Sequence, residues 1–139
     1  MKLHRTAALV VLLAVLVAAA GEKLVFSDEF STLDHHKWGH MVSAWRGGNN
    51  EFQYYRNSRN NSYVRDGILY LKPTLTADEF GEDLVKNGML SYPDCNKEPC
   101  ISQASADEIV LPVQSARIST WGKFSFRYGR LEVRARLPR

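Results

Sequence analysis

The dipeptide Asp66-Gly67 constrains this chain most, because it joins two runs of strand-forming residues with nothing else between them. Asp-Gly favours the type I′ turn, whose positive φ angles match the twist of paired strands. A β-hairpin over Ser62–Lys72 follows, and with it a register. Arg65 faces Ile68, Val64 faces Leu69 and Tyr63 faces Tyr70. Val64, Leu69 and Leu71 then share one face and the two tyrosines the other. The hairpin's role is structural.

The opening segment stands apart from any fold. Lys2, His4 and Arg5 precede an apolar run from Ala7 to Ala20, and Ala18, Ala19 and Ala20 offer small-residue cleavage positions. Residues 1–20 read as a secretory signal peptide, with a retained signal anchor as the alternative; the run is short and alanine-rich for a membrane span. The expectation is a secreted, extracellular protein without membrane contact after cleavage. Losing Lys2 and Arg5 leaves sixteen basic residues against fifteen acidic ones. So neutral a chain gives no support for nucleic acid or an anionic membrane as a partner.

Export permits disulfides. Cys95 and Cys100 are the only cysteines, with Pro99 beside the second, so one local disulfide closing a loop is the natural pairing. Two cysteines without nearby histidines supply too few ligands for a metal site. No cofactor is expected, and no ligand set is strong enough to claim a structural calcium ion. Asn60, Asn61 and Ser62 form a glycosylation sequon at Asn60. His35 and His36 fall in a polar turn and read as solvated.

Arg46–Tyr55 (R-G-G-N-N-E-F-Q-Y-Y) carries a distinctive polar pattern. Gly47-Gly48 breaks any element, and Asn49, Glu51, Gln53 and Tyr55 then share one face of an early-starting strand. Sugar hydroxyls both donate and accept hydrogen bonds, and pyranose C–H groups stack on aromatic rings. Amides, a carboxylate and a tyrosine in one row suit a glycan; they also suit an ordinary outward sheet face.

Alternation fades from Thr74 to Pro112, which reads mostly as loop. Its acids, Asp78, Glu79, Glu82, Asp83, Asp107 and Glu108, were natural candidates for a hydrolytic pair, since retaining glycoside hydrolysis needs two carboxylates about 5 Å apart. Nowhere in the chain does a Glu precede an Asp by two positions, and a solvated or calcium-touching loop is the better reading. Gln114–Ser119 and Lys123–Tyr128 resume as strands. Trp121 between them is read as anchoring the turn to the core, with a stacking platform as the alternative. Tyr128–Pro138 alternates again: Leu131, Val133, Ala135 and Leu137 on one face, Glu132, Arg134 and Arg136 on the other. A half-buried strand is expected, its charged row either solvated or functional.

Y-G-R at Tyr128, E-V-R at Glu132 and R-L-P at Arg136, in that order, resemble the strand leading into the active site of glycoside hydrolase family 16. That family contains endo-β-1,3-glucanases and non-catalytic β-1,3-glucan-recognition proteins of innate immunity. The opening D-E-F at Asp28, followed by Leu33, Asp34 and Trp38, is similar to the way such domains begin, and G-G-N-x-E-x-Q-Y is similar to their cleft edge. The hairpin run N-S-Y-V-R-D-G-I-L-Y-L-K-P is similar to the recognition branch. The likeness spans Leu24–Pro138 but only the first half of such a domain.

The resemblance implies an all-β, antiparallel jelly-roll β-sandwich of the concanavalin A-like kind, with residues 21–139 as its amino-terminal portion. It implies β-1,3-glucan as ligand and Asn49, Glu51, Arg130 and Arg134 as residues that position sugar; Asn50 departs from the aromatic often found there. The family's catalytic E-x-D-x-x-E strand follows the last matched motif, so no catalytic residue is expected in this chain and no hydrolysis from it. A complete enzyme would be a retaining endo-β-1,3-glucanase. The alternatives are a recognition protein that binds glucan uncleaved and an unrelated secreted β-sandwich interaction module. An immunoglobulin-like domain wants cysteines on facing strands, whereas Cys95 and Cys100 are neighbours. Half a sandwich would leave Leu131, Val133 and Leu137 uncovered, an aggregation hazard.

Overall fold

The computed structural model describes residues 22–137. Residues 1–20, expected to be a signal peptide, and Pro138 of the R-L-P motif lie outside the described residues. The domain is mostly strand: β1 (Gly39–Met41), β2 (Gln53–Tyr55), β3 (Ser62–Arg65), β4 (Ile68–Leu71), β5 (Thr74–Leu75), β6 (Met89–Ser91), β7 (Ile101–Gln103), β8 (Val113–Ser115) and β9 (Arg117–Ser119). Two short helices, α1 (Thr76–Phe80) and α2 (Glu82–Asn87), separate β5 from β6. The strands pair as β1-β9, β2-β8-β5, β3-β4 and β6-β7.

The hairpin has the register its turn dictates, with Arg65 opposite Ile68, Val64 opposite Leu69 and Tyr63 opposite Tyr70. Asp66 and Gly67 both adopt positive φ, 52° and 71°, as a type I′ turn requires. The tyrosine rings stack, their centres 4.9 Å apart.

The core gathers Val42, Ala44, Tyr54, Leu90, Val110 and Leu111, with Leu84, Tyr92, Cys95 and Ala104 packed around them. Tyr54 is fully buried and meets Tyr92 edge-on at 5.0 Å. A buried hydroxyl needs a partner; Tyr54 donates to the Cys100 carbonyl at 2.6 Å. Cys95 and Cys100 form the expected disulfide. Its loop is docked on the core through Ala44 N–H to Pro99 O at 2.8 Å and Val42 N–H to Asn96 Oδ1 at 3.0 Å.

Four expectations need correction. The sheets are not wholly antiparallel, because β2 runs parallel to β8. Thr74–Pro112 is loop for only about half of its length, and it also holds β5, α1, α2, β6 and β7. Each helix is too short to display a 3.6-residue period, but each places acids in its first turn, Asp78 and Glu79 or Glu82 and Asp83, where the helix dipole favours them. Glu82 and Lys86 add an i,i+4 ion pair at 2.5 Å.

The third correction concerns the ends of the domain. Leu24–Phe30 (L-V-F-S-D-E-F) opens the domain with strand-like residues yet forms no strand; it is held by aromatic packing, Phe26 stacking on Phe124 at 4.8 Å and meeting Trp38 edge-on at 5.8 Å. Asp28 fixes that cluster by accepting from Trp38 Nε1 at 2.7 Å. Lys123–Tyr128 and the stretch from Tyr128 to Leu137 are likewise not strands, since among the described residues no neighbour pairs with them. Fourth, Trp121 anchors nothing: it is 91% exposed at the tip of its turn. His35 and His36 are exposed, as a polar turn demands.

Candidate functional site: a hydrogen-bonded polar row on β2

Strand alternation sets the site. Tyr54 points into the core, so Gln53 and Tyr55 point the other way. Gln53 Nε2 donates to Glu51 Oε2 and, at 2.8 Å, to the Tyr55 hydroxyl. That hydroxyl lies 3.3 Å from the same carboxylate oxygen. Side chains two positions apart thus interlock in a row, and Asn49 lies at its start, near enough to Glu51 to favour its charged form.

The turn before the row brings the carboxylate back over the backbone. Arg46, Gly47, Gly48 and Asn50 all have positive φ, and Arg46 O accepts from Glu51 N–H at 2.9 Å. A side chain on Gly47 would collide with the Glu51 carboxylate. Gly47 is favoured there by its positive φ, and a side chain in its place would also push the Glu51 carboxylate out of its position. Arg46 braces the turn from outside, donating to Asn50 Oδ1 at 2.7 Å and Glu108 Oε1 at 3.0 Å.

The hydrogen bond from Gln53 is the main cause that holds the Glu51 carboxyl below its usual range; desolvation opposes it, and Asn49, Tyr55 and the charge of Arg117 add lesser support. It is thus a fixed acceptor at neutral pH rather than a proton donor. Beside the row lies an aromatic-cationic layer. Lys97 Nζ sits 3.6 Å from the centre of the Trp45 ring, and the Arg117 guanidinium lies 5.6 Å from that ring and 5.9 Å from Tyr55.

Of the residues expected to position sugar, the structure brings Asn49 and Glu51 together. Arg130 and Arg134 lie elsewhere, on the exposed final stretch, with Arg130 paired to Glu22 at 2.9 Å and to Glu132 at 3.4 Å. Sequence reasoning missed Trp45, Lys97 and Arg117. Arg117 reaches the site through β9, far along the chain, and nothing local marks it. Asn60 is exposed, whereas Asn61 and Ser62 of its sequon are fully buried.

No protein-family model matches the chain, and no solved structure matches it. Sequence relatives do. A β-1,3-glucan-binding protein of Penaeus monodon is 42% identical over 126 residues, covering 84% of this chain and 34% of the relative. A β-1,3-glucan-binding protein of Tenebrio molitor is 34% identical, covering 86% of this chain and 26% of the relative. A glucan endo-1,3-β-glucosidase A1 of Niallia circulans is 33% identical, covering 87% and 16%. The chain spans about a third or less of the length of these curated relatives. Over most of its own length, then, the chain is related in sequence to parts of proteins named for β-1,3-glucan binding and of bacterial glucanases.

Proposed function

We propose that this is a secreted β-1,3-glucan-binding protein related to glycoside hydrolase family 16, its residues 21–139 forming the amino-terminal portion of a jelly-roll domain. The row Asn49, Glu51, Gln53 and Tyr55, flanked by Trp45 and Arg117, is the proposed contact surface. The observation that carries this reading is the interlocked Glu51–Gln53–Tyr55 trio. A fixed ionised carboxylate accepts hydrogen bonds from neighbouring sugar hydroxyls, amides supply both donors and acceptors, and the flanking rings offer faces for pyranose C–H groups. The names of the relatives point to the same ligand. Recognition without cleavage is favoured for this chain, because retaining hydrolysis needs two carboxylates about 5 Å apart and, among the described residues, no second carboxylate joins Glu51 in the hydrogen-bonded row.

The test is retention of the purified secreted chain on insoluble β-1,3-glucan, with laminarin as soluble competitor. Wild type should be retained and released by laminarin, and Glu51→Ala should bind about tenfold more weakly, the scale of one charge-assisted hydrogen bond. Equal retention of the two proteins would remove the row from the site. Reducing ends released from laminarin would overturn the non-hydrolytic reading.

A further inference from the structure

The disulfide joins cysteines a sequence separation of 5 apart, so the loop between them has little freedom left. Its polar groups are directed at one neighbour, the segment from His40 to Trp45. Asn96 Nδ2 donates to His40 O at 2.9 Å, Asn96 Oδ1 accepts from Val42 N–H at 3.0 Å, and Asn96 N–H donates to Val42 O at 3.1 Å. Pro99 O accepts from Ala44 N–H at 2.8 Å. The asparagine amide, donor and acceptor at once, serves that segment as a neighbouring strand would.

The segment runs straight into the polar row. Ser43 and Tyr55 exchange both of their backbone hydrogen bonds, at 3.0 and 2.9 Å, and Val42, Ser43 and Ala44 are buried. Trp45 follows, its N–H donating to Ser43 Oγ at 2.9 Å. The loop holds the ring as well as the backbone. Lys97 Nζ lies 3.6 Å from the centre of the Trp45 ring, and Cys100 O accepts from the Tyr54 hydroxyl, on the core side of β2, at 2.6 Å. A Cβ on Gly48 would stand 3.3 Å from Cζ2 of the same ring, so Trp45 also rests against the turn that delivers Glu51. One short loop thus ties Trp45 and β2 together.

We propose that the Cys95–Cys100 loop is the positioning device of the polar row, and that Lys97 is the residue through which it holds the Trp45 ring. Lys97 is a positioning residue, acting on a ligand through Trp45. The effect on affinity rests on the row being a glucan surface, as read above: a platform fixed before the sugar arrives binds more tightly than one the sugar must order.

Indole N–H signals of the full chain, made with isotope-labelled tryptophan, read the position of Trp45, and Trp45→Phe assigns its signal. Lys97→Met keeps the stem and removes the charge. It should shift the Trp45 signal and weaken laminarin binding about threefold, the scale of one exposed cation–π contact, with the melting temperature unchanged. Lys97→Arg should restore both signal and affinity, because a guanidinium also stacks on indole. A merely structural role would lower the melting temperature and leave Lys97→Arg no better than Lys97→Met. Cys95→Ser combined with Cys100→Ser should shift and broaden the Trp45 signal and weaken binding about tenfold, while the Trp121 signal stays in place. Should that double variant fail to fold, the two Lys97 variants decide alone. A Trp45 signal that ignores these changes would overturn the proposal, as would a shifted signal with undiminished affinity for laminarin. If wild type itself does not bind laminarin, the glucan reading of the row falls, and the Trp45 signal still decides the positioning.

Discussion

The hairpin β3-β4 and the arm Gly129–Leu137 look alike in sequence and differ in fate. Both alternate apolar and polar residues, and both invite the reading of a strand. The hairpin meets its partner across a two-residue turn, and its base is tied into the body. Asn61, fully buried, donates to Lys72 O at 3.0 Å, Thr74 Oγ1 at 2.9 Å and Gln114 O at 3.2 Å. Ser62 Oγ lies 2.8 Å from His40 Nε2 on β1. Among the described residues, the arm is held to the body by the exposed Arg130–Glu22 ion pair, a kind of contact worth little in water. Alternation tells which side of a strand faces inward; only a partner makes it a strand.

Removing the anchor of the hairpin should give the largest effect. Asn61→Ala removes a buried amide whose two N–H groups are shared among three acceptors and should cost about 2–3 kcal/mol in urea unfolding. A loss below about 0.5 kcal/mol would mean that the turn alone holds the hairpin. The second anchor is sensitive to pH. Burial, aided by the charges of Arg59 and His35 and opposed by Asp94, pushes the His40 pKa down to about 4 from 6.5. The unfolded chain therefore binds a proton that the folded chain refuses between those values, so stability is full above about pH 6.5 and falls as pH drops toward 4. His40 is only half-buried, so the loss is discounted to about 1 kcal/mol. His40→Gln should flatten that part of a melting-temperature profile between pH 7 and 4; a variant that melts in parallel with wild type would assign the acid sensitivity to other groups. The arm should give the smallest effect. Val133→Asp should change stability by less than about 0.5 kcal/mol, and a loss above about 2 kcal/mol would show that the residue is packed.

Legibility followed the same division. The hairpin register, the Cys95–Cys100 pairing and the row from Glu51 to Tyr55 depend on residues a few positions apart, and each was readable from spacing. The parallel pairing of β2 with β8 was not, because neither strand carries a local mark of its partner. Arg117 was invisible for that reason: its place beside Trp45 is a property of the body and not of its neighbours in sequence. The helices α1 and α2 were missed because one turn and a half cannot show periodicity. Trp121 misled in another way. A large aromatic beside a turn usually packs inward, yet this one stands in solvent.

The pairing of β1 with β9 and of β2 with β8 also fixes an order of events during synthesis. Gly39 meets Ser119 and Gln53 meets Val113, so the two ends of the body close on each other. While the ribosome is still making the middle of the chain, the hairpin can form and the cysteine loop can begin to, but the core around Tyr54 cannot. Its two-sided sheet must wait until the last of these strands has emerged, and loop closure over that span slows the step further.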